Sequence, residues 1–437
     1  MNTNTQRRLS ALGLAGLLGL SLTTAAQAQA ASVTVPNPNV TQPPQPVLPA
    51  DIDRTQFRAS ARAMGMGGTD LIVAGDASAA AFNPASIAAS GQSSFATTVV
   101  GRTSNVHVAK INDLSKGLKD VGNQINDNNG SLSAVRDGFA KIYNFATNAG
   151  ANATTGSPAV LSANAAPLVG VSTKLGQKPD SVRIGVVGYG ELGAKVQLIA
   201  NSIAVPGLTG PTGKVSAAYG VLGLTNVAVP FSIPVKIGAL GISPRFIQAS
   251  YAAAGFLADE TSTVNGFDTA VSPTTPNGNI TGATYKEVHQ SKFDADIGFT
   301  SIADPLYHIR GAIVVHNLLS PSFHLPRVIN GNSLGVPAGG SFDFTMKPQI
   351  DLGGLSNDKG ITYAVELHNV NNVNGGKRSF HAGVEYPVAR IFSVRVGYDR
   401  SRFVAGIGIG TSAFRLDLAT GTNPQEQVAL GLTFGTR

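Results

Sequence analysis

The sequence predicts an all-β protein, a transmembrane antiparallel β-barrel of about 14 strands. Three observations carry that prediction. The chain is 43% hydrophobic but only 13% charged, where a soluble protein carries about 25% charge. No stretch reaches 18 uninterrupted apolar residues, so no transmembrane helix is expected. The C-terminal half alternates apolar residues with Gly, Ser and charged residues at a period of two, as a lipid-facing and lumen-facing wall requires. A soluble β-sandwich is the alternative reading of the same alternation.

The elements follow in chain order. Residues 1–30 read as a signal peptide, with Arg7 and Arg8 as the charged region and Ala11 to Leu22 as the apolar region. Ala26–Gln27–Ala28 and Ala28–Gln29–Ala30 offer small-residue cleavage sites. Residues 31–52 hold Pro36, Pro38, Pro43, Pro44, Pro46 and Pro49 and read as an extended linker. Residues 53–90 are rich in Ala and Gly, and Gln92 to Ala109 is the first strong strand.

Residues 110–150 change texture. Ile111, Leu114, Leu118, Val121 and Ile125 are spaced three and four apart, and Leu132, Val135, Phe139 and Ile142 repeat the spacing after the turn Asp127–Gly130. This predicts a helical hairpin with one apolar stripe per helix. The stripes bury each other, or serve as a lid against a hydrophobic ligand.

Thirteen further strands start near Leu168, Ser181, Lys214, Val235, Lys292, Leu306, Phe342, Ile361, Arg378, Arg390, Arg402, Ala413 and Gln427. The alternation is clearest where Phe392, Val394, Val396 and Tyr398 oppose Ser393, Arg395 and Gly397. The longer connections, Asn201–Thr212, Asp259–Tyr285 and Pro321–Gly340, read as extracellular loops or as segments folded into the lumen. Residues 91–437 thus form the barrel.

Charge and motifs exclude several function classes. The net charge of +7 falls to +5 without Arg7 and Arg8, and no Lys/Arg run exceeds two, so no nucleic-acid partner is expected. There is no cysteine, so disulfides do not hold the fold. Gly188–Tyr189–Gly190–Glu191–Leu192–Gly193 matches a dinucleotide fingerprint. The acidic residue such a site needs is missing, because no Asp or Glu occurs from Leu192 to Ala258. The segment reads as a Gly-rich strand, and no cofactor is expected. The seven histidines show no zinc-type spacing, so no metal is expected. No G-x-S-x-G elbow is present, and no enzyme activity is expected.

Asp294 and Asp296 alternate with Phe293, Ala295, Ile297 and Phe299. With the Phe face toward lipid, both carboxylates point inward. Arg310, Arg395 and Arg415 fall on corresponding polar faces, where they avoid the roughly 2–4 kcal/mol that a mid-depth lipid-facing Arg costs. These five are the expected lumen charges, serving either a stiffening salt-bridge network or selectivity.

The segment SARAMGMGGTDLIVAGDASAAAFNPASIAA, residues 60–89, resembles the start of FadL-type outer-membrane barrels and their TraF-like and PorV-like relatives. Phe293–Gly298 resembles their D-x-D-hydrophobic-G strand, and Asn317–Leu318 with Pro321 their N-L-x-x-P strand end. His381–Tyr386, Arg395–Tyr398 and Phe414–Asp417 resemble their closing hairpins. The ending Phe434–Gly435–Thr436–Arg437 departs from the terminal aromatic of many such barrels.

The resemblance implies an N-terminal hatch, with Met64, Gly65, Gly67, Gly68, Asn83, Pro84 and Ala85 as its gate motif. The same residues also read as plain structural turns. It implies an outer-membrane location, contact with outer-membrane lipid, and a passive channel for hydrophobic small molecules. The alternative is a scaffold or assembly component of a secretion or conjugal-transfer system that binds envelope proteins. A purely structural barrel is a third reading.

Overall fold

The computed structural model describes residues 60–73, 77–89, 93–104, 159–176, 178, 181–203, 212–259, 280–284, 288–306, 308–326, 341–358, 360–374, 376–400, 402–411, 413–421 and 425–436. The expected signal peptide, the Pro-rich linker and the helical hairpin of residues 110–150 lie outside the described residues.

Three short helical pieces come first: α1 (Ala61–Gly65), a 3-10 turn (Ala77–Ala81) and α2 (Ser86–Ala89). The strands are β1 (Ser93–Ser104), β2 (Ala159–Lys174), β3 (Arg183–Ile203), β4 (Thr212–Ala228), β5 (Phe231–Val235), β6 (Gly238–Asp259), β7 (Ile280–Thr284), β8 (Val288–Ser301) and β9 (Ile309–His316). They continue as β10 (Ser322–Pro326), β11 (Ser341–Thr345), β12 (Gln349–Asp358), β13 (Ile361–His368), β14 (Ser379–Ala389), β15 (Phe392–Asp399), β16 (Arg402–Gly410), β17 (Phe414–Gly421) and β18 (Gln425–Thr436).

Each wall strand pairs antiparallel with its neighbours in the chain, and β1 pairs with β18 from Ser93↔Thr436 to Ser104↔Gln425. The ring therefore closes, and no strand edge is left to face lipid. It has 14 wall positions, because two are split. The strand β4 resumes as β5 after Val229–Pro230, since β5 pairs with both β3 and β6. Likewise β7 and β8 both pair with β6. The dinucleotide-like segment Gly188–Gly193 lies within β3, paired on both sides, as a Gly-rich strand.

Alternation sorts the wall. Phe246, Phe293, Val365, Val396, Phe403 and Leu430 are exposed on the outside, forming an apolar belt suited to lipid. Their chain neighbours Arg245, Asp294, Glu366, Arg395, Arg402 and Ala429 are buried inside. No helix among the described residues is long and apolar enough to cross a membrane.

The predicted barrel strand near Phe342 is corrected by the structure. The wall strand begins at Gln349, and Phe342 belongs to a separate hairpin of β10 and β11. The pattern Ser-Phe-Asp-Phe-Thr alternates like a lipid-facing strand, but its apolar face is spent internally. Phe323, Leu325, Phe342, Phe344 and Met346 pack on the inward residues Leu222, Leu224, Ile247, Ala249 and Tyr251 of β4 and β6. The connection Pro321–Gly340 thus enters the lumen at its described end.

Wall strands differ greatly in length. β3 has 21 residues and β6 has 22, whereas β9, β13, β15 and β17 have eight each. One rim has tight turns such as 236–237 and 390–391. The other carries most of the long connections.

Candidate functional site

Residues 60–73 and 77–89 lie inside the barrel as a plug. Ser60 caps α1, its Oγ accepting from Ala63 N at 3.3 Å. Ala63, Met66, Thr69, Asp70, Leu71, Ala77, Asn83, Ala85 and Ile87 are buried. Ala, Gly and Ser dominate this segment because its backbone must approach the wall closely.

The seat is built from wall glycines. A Cβ on Gly383 would lie 2.6 Å from Met66 Cα, one on Gly397 2.7 Å from Gly67 Cα, and one on Gly406 3.0 Å from Gly65 Cα. A Cβ on Gly241 would lie 2.8 Å from Ala85 Cα, and one on Gly298 3.2 Å from Pro84 Cδ. Met64–Gly68 thus seats on β14–β16, and Asn83–Ala85 on β6 and β8. Gly67 and Gly68 have φ of +80° and +83°, a region that disfavours other residues. The structure therefore brings every residue of the expected gate motif against the inner wall.

Polar side chains tether this segment at five places. Arg62 reaches from α1 to Glu385, with Nε to Oε2 at 3.0 Å and Nη2 to Oε1 at 2.6 Å. His381 Nδ1 donates to Gly67 O at 2.7 Å. Glu366 accepts from Asp70 N at 3.1 Å and Leu71 N at 3.0 Å. Asn83 Nδ2 donates to Thr300 Oγ1 and to Leu71 O, both at 2.9 Å, while its Oδ1 accepts from Ala85 N at 3.0 Å. Ser232 Oγ donates to Ala85 O at 3.2 Å.

Three charged networks line the wall. In the first, Arg62 and Glu385 continue to Arg395, whose Nε meets Glu385 Oε2 at 2.5 Å and whose Nη1 meets Asp417 Oδ1 at 2.8 Å. Arg415 closes it on Asp417 at 2.7 Å. In the second, Arg245 holds Asp294 at 2.6 Å and Asp296 at 3.2 Å, donates to Tyr189 Oη at 2.8 Å, and contacts Asn317 Oδ1. His316 links Asp296 at 3.2 Å to Asp351 at 3.5 Å.

The D-x-D pair has a local job. Asp296 Oδ1 accepts from Asn317 N at 2.9 Å, and Asp294 Oδ1 from Leu319 N at 3.1 Å. Asn317 has φ +56°, which Asn tolerates. The two aspartates therefore fasten the turn that sends the chain from β9 into the lumen hairpin. This links the Phe293–Gly298 motif to the Asn317–Pro321 motif.

In the third network, Glu366 and His368 of β13 meet at 2.7 Å. The ring of His368 stacks on His381 at 4.1 Å, and His381 approaches Asp399 at 3.3 Å. Asp70, Glu366 and His368 each offer one ligand atom, all within 4.8 Å of one another, and could hold a metal ion. Spacing along the chain did not predict this, because Asp70 lies nearly 300 residues before the other two.

Asp294, Asp296, Arg395 and Arg415 therefore sit on the inner wall, in two separate networks. Arg310 shares the inward parity of Ala312 and Val314 on β9 and is in none of the three. Arg62, Arg245, Glu366 and Glu385 were missed as site residues. Inward parity beside a glycine, as in Glu385 after Gly383, was the signal available.

A family model described as "F plasmid transfer operon, TraF, protein" matches residues 80–409. The Ralstonia pickettii toluene transporter TbuX superposes with a TM-score of 0.50 at 13% identity, covering 88% of this chain and 99% of that one. The Pseudomonas putida toluene transporter TodX gives 0.46 at 12%, covering 88% and 100%. No curated protein matches the sequence. With a matched segment that runs from the plug through β16, and a closed 14-strand wall of the FadL type, the chain belongs to the family of the F plasmid transfer operon protein TraF.

Proposed function

We propose that the protein is an outer-membrane channel for hydrophobic small molecules, with residues 60–89 as its hatch. The observation that carries this reading is the glycine-lined seat. The Met64–Gly68 and Asn83–Ala85 backbones occupy the lumen, yet are joined to the wall by side-chain hydrogen bonds and one ion pair rather than by strand pairing. Such a segment can shift without opening the wall. TbuX and TodX, which share the fold, are named toluene transporters.

The test combines Asn83→Ala with Pro84→Gly and follows uptake of radiolabelled toluene and of a long-chain fatty acid by cells. A changed uptake rate with normal insertion is expected. Normal uptake by a well-inserted variant refutes the gate.

The TraF match favours a second reading, a scaffold in a transfer or secretion assembly. Deleting residues 110–150 would then remove partner capture and leave uptake intact. Retention of every partner in a pull-down sinks this version.

A further inference from the structure

We infer that Asp70, Glu366 and His368 form a binding site for a divalent transition-metal ion that joins the plug to the barrel wall. Three arguments meet here.

The first is placement. Glu366 and His368 are alternate residues of one strand, so both side chains leave β13 on its inward face. The Asp70 and Leu71 amides donate to Glu366, which fixes the Asp70 side chain beside the pair. All three residues are within 1% of complete burial.

The second is donor chemistry. Two carboxylates and one imidazole make a mixed oxygen and nitrogen set, which suits Zn²⁺ or Mn²⁺ better than Mg²⁺ or Ca²⁺. One ligand atom from each residue already lies within 4.8 Å of the others. Ligands about 2.1 Å from a tetrahedral ion sit about 3.4 Å apart, so no pair has to close by more than about 1.4 Å.

The third is charge. Two carboxylates stand together where water is excluded, and burial of like charges favours a bound cation. A dication bound by all three ties residue 70 of the lumen segment to residues 366 and 368 of the wall.

The site does not depend on the channel reading. Only its effect on passage does: bound metal would hold the hatch in its seat.

The experiment uses the full-length protein in detergent, stripped with EDTA and titrated with Zn²⁺ and with Mn²⁺. Bound metal is counted by mass spectrometry after gel filtration, and gel mobility before and after heating reports the folded barrel. About one equivalent of Zn²⁺ is expected, with at least tenfold weaker binding in Asp70→Asn and in His368→Gln. Zinc X-ray absorption on the unmodified protein should show one imidazole and carboxylate oxygens, so the inference stays testable if a variant fails to fold. Less than a tenth of an equivalent, a shell without imidazole, or binding unchanged in both folded variants overturns it. If zinc binds as expected but uptake is the same with and without EDTA, the site stands and the gate reading loses support.

Discussion

Gly397→Ala is the sharpest perturbation of the seat. The added Cβ would lie 2.7 Å from Gly67 Cα and closer still to Gly67 N and Met66 C. All three are backbone atoms, so no side-chain rotation relieves the overlap. The wall at this point is held by register pairs on both sides, Gly383↔Gly397 and Gly397↔Val404. The plug there is held by a few side-chain bonds, so the plug yields. Overpacking of this kind costs roughly 1–3 kcal/mol, which raises the population of the displaced plug about 5- to 150-fold. Gly188→Ala is the control, because its nearest neighbour would be Val169 Cγ1 at an ordinary 3.7 Å. Hydrogen exchange of residues 63–71 in both variants is the assay. Faster exchange in Gly397→Ala alone, with β14–β16 still protected, is expected. Equal protection of residues 63–71 in the two variants refutes the claim that wall glycines seat the plug.

Two further outcomes follow from the wall. Arg245→Leu strands Asp294 and Asp296, both buried, and should cost about 3–5 kcal/mol; thermal unfolding in detergent should fall, with faster exchange at residues 317–326, and an unchanged midpoint would contradict the network. Phe344→Ala empties the stack on Phe323, whose ring centroid is 4.8 Å away, at about 3–5 kcal/mol. It should loosen residues 322–326 and 341–345 while the exchange of β13–β18 stays the same.

The barrel was legible because lipid and lumen impose opposite demands on alternate residues. Strands β15, β16 and β18 carry that alternation openly, with Phe403, Val396 and Leu430 outside and glycines or charges inside. The inward direction of Asp294, Asp296, Arg395 and Arg415 followed from the same parity. The seat was less legible. A glycine in a strand looks the same whether it faces lipid or meets another backbone, so Gly383, Gly397 and Gly406 gave no sign of their partners. Arg62 and Arg245 were hidden because their partners lie 323 and 49 residues away. The lumen hairpin deceived for a different reason: Phe342 and Phe344 have the spacing of lipid-facing residues, and only the fold reveals that they meet β4 and β6.

Unequal strand length has a consequence for how anything reaches this molecule. At about 3.3 Å per residue and a tilt of about 40°, the 22 residues of β6 climb about 55 Å, whereas the eight of β15 climb about 20 Å. An apolar band about 25 Å tall uses up the short side entirely. The tall side continues some 30 Å further as a free-standing parapet, and the low lip between β13 and β17 lies across the lumen from it. Among the described residues the tall wall spans about a third of the circumference, from β2 to β8. A ligand of the proposed channel would come in obliquely, over the low lip and against the inner face of the parapet.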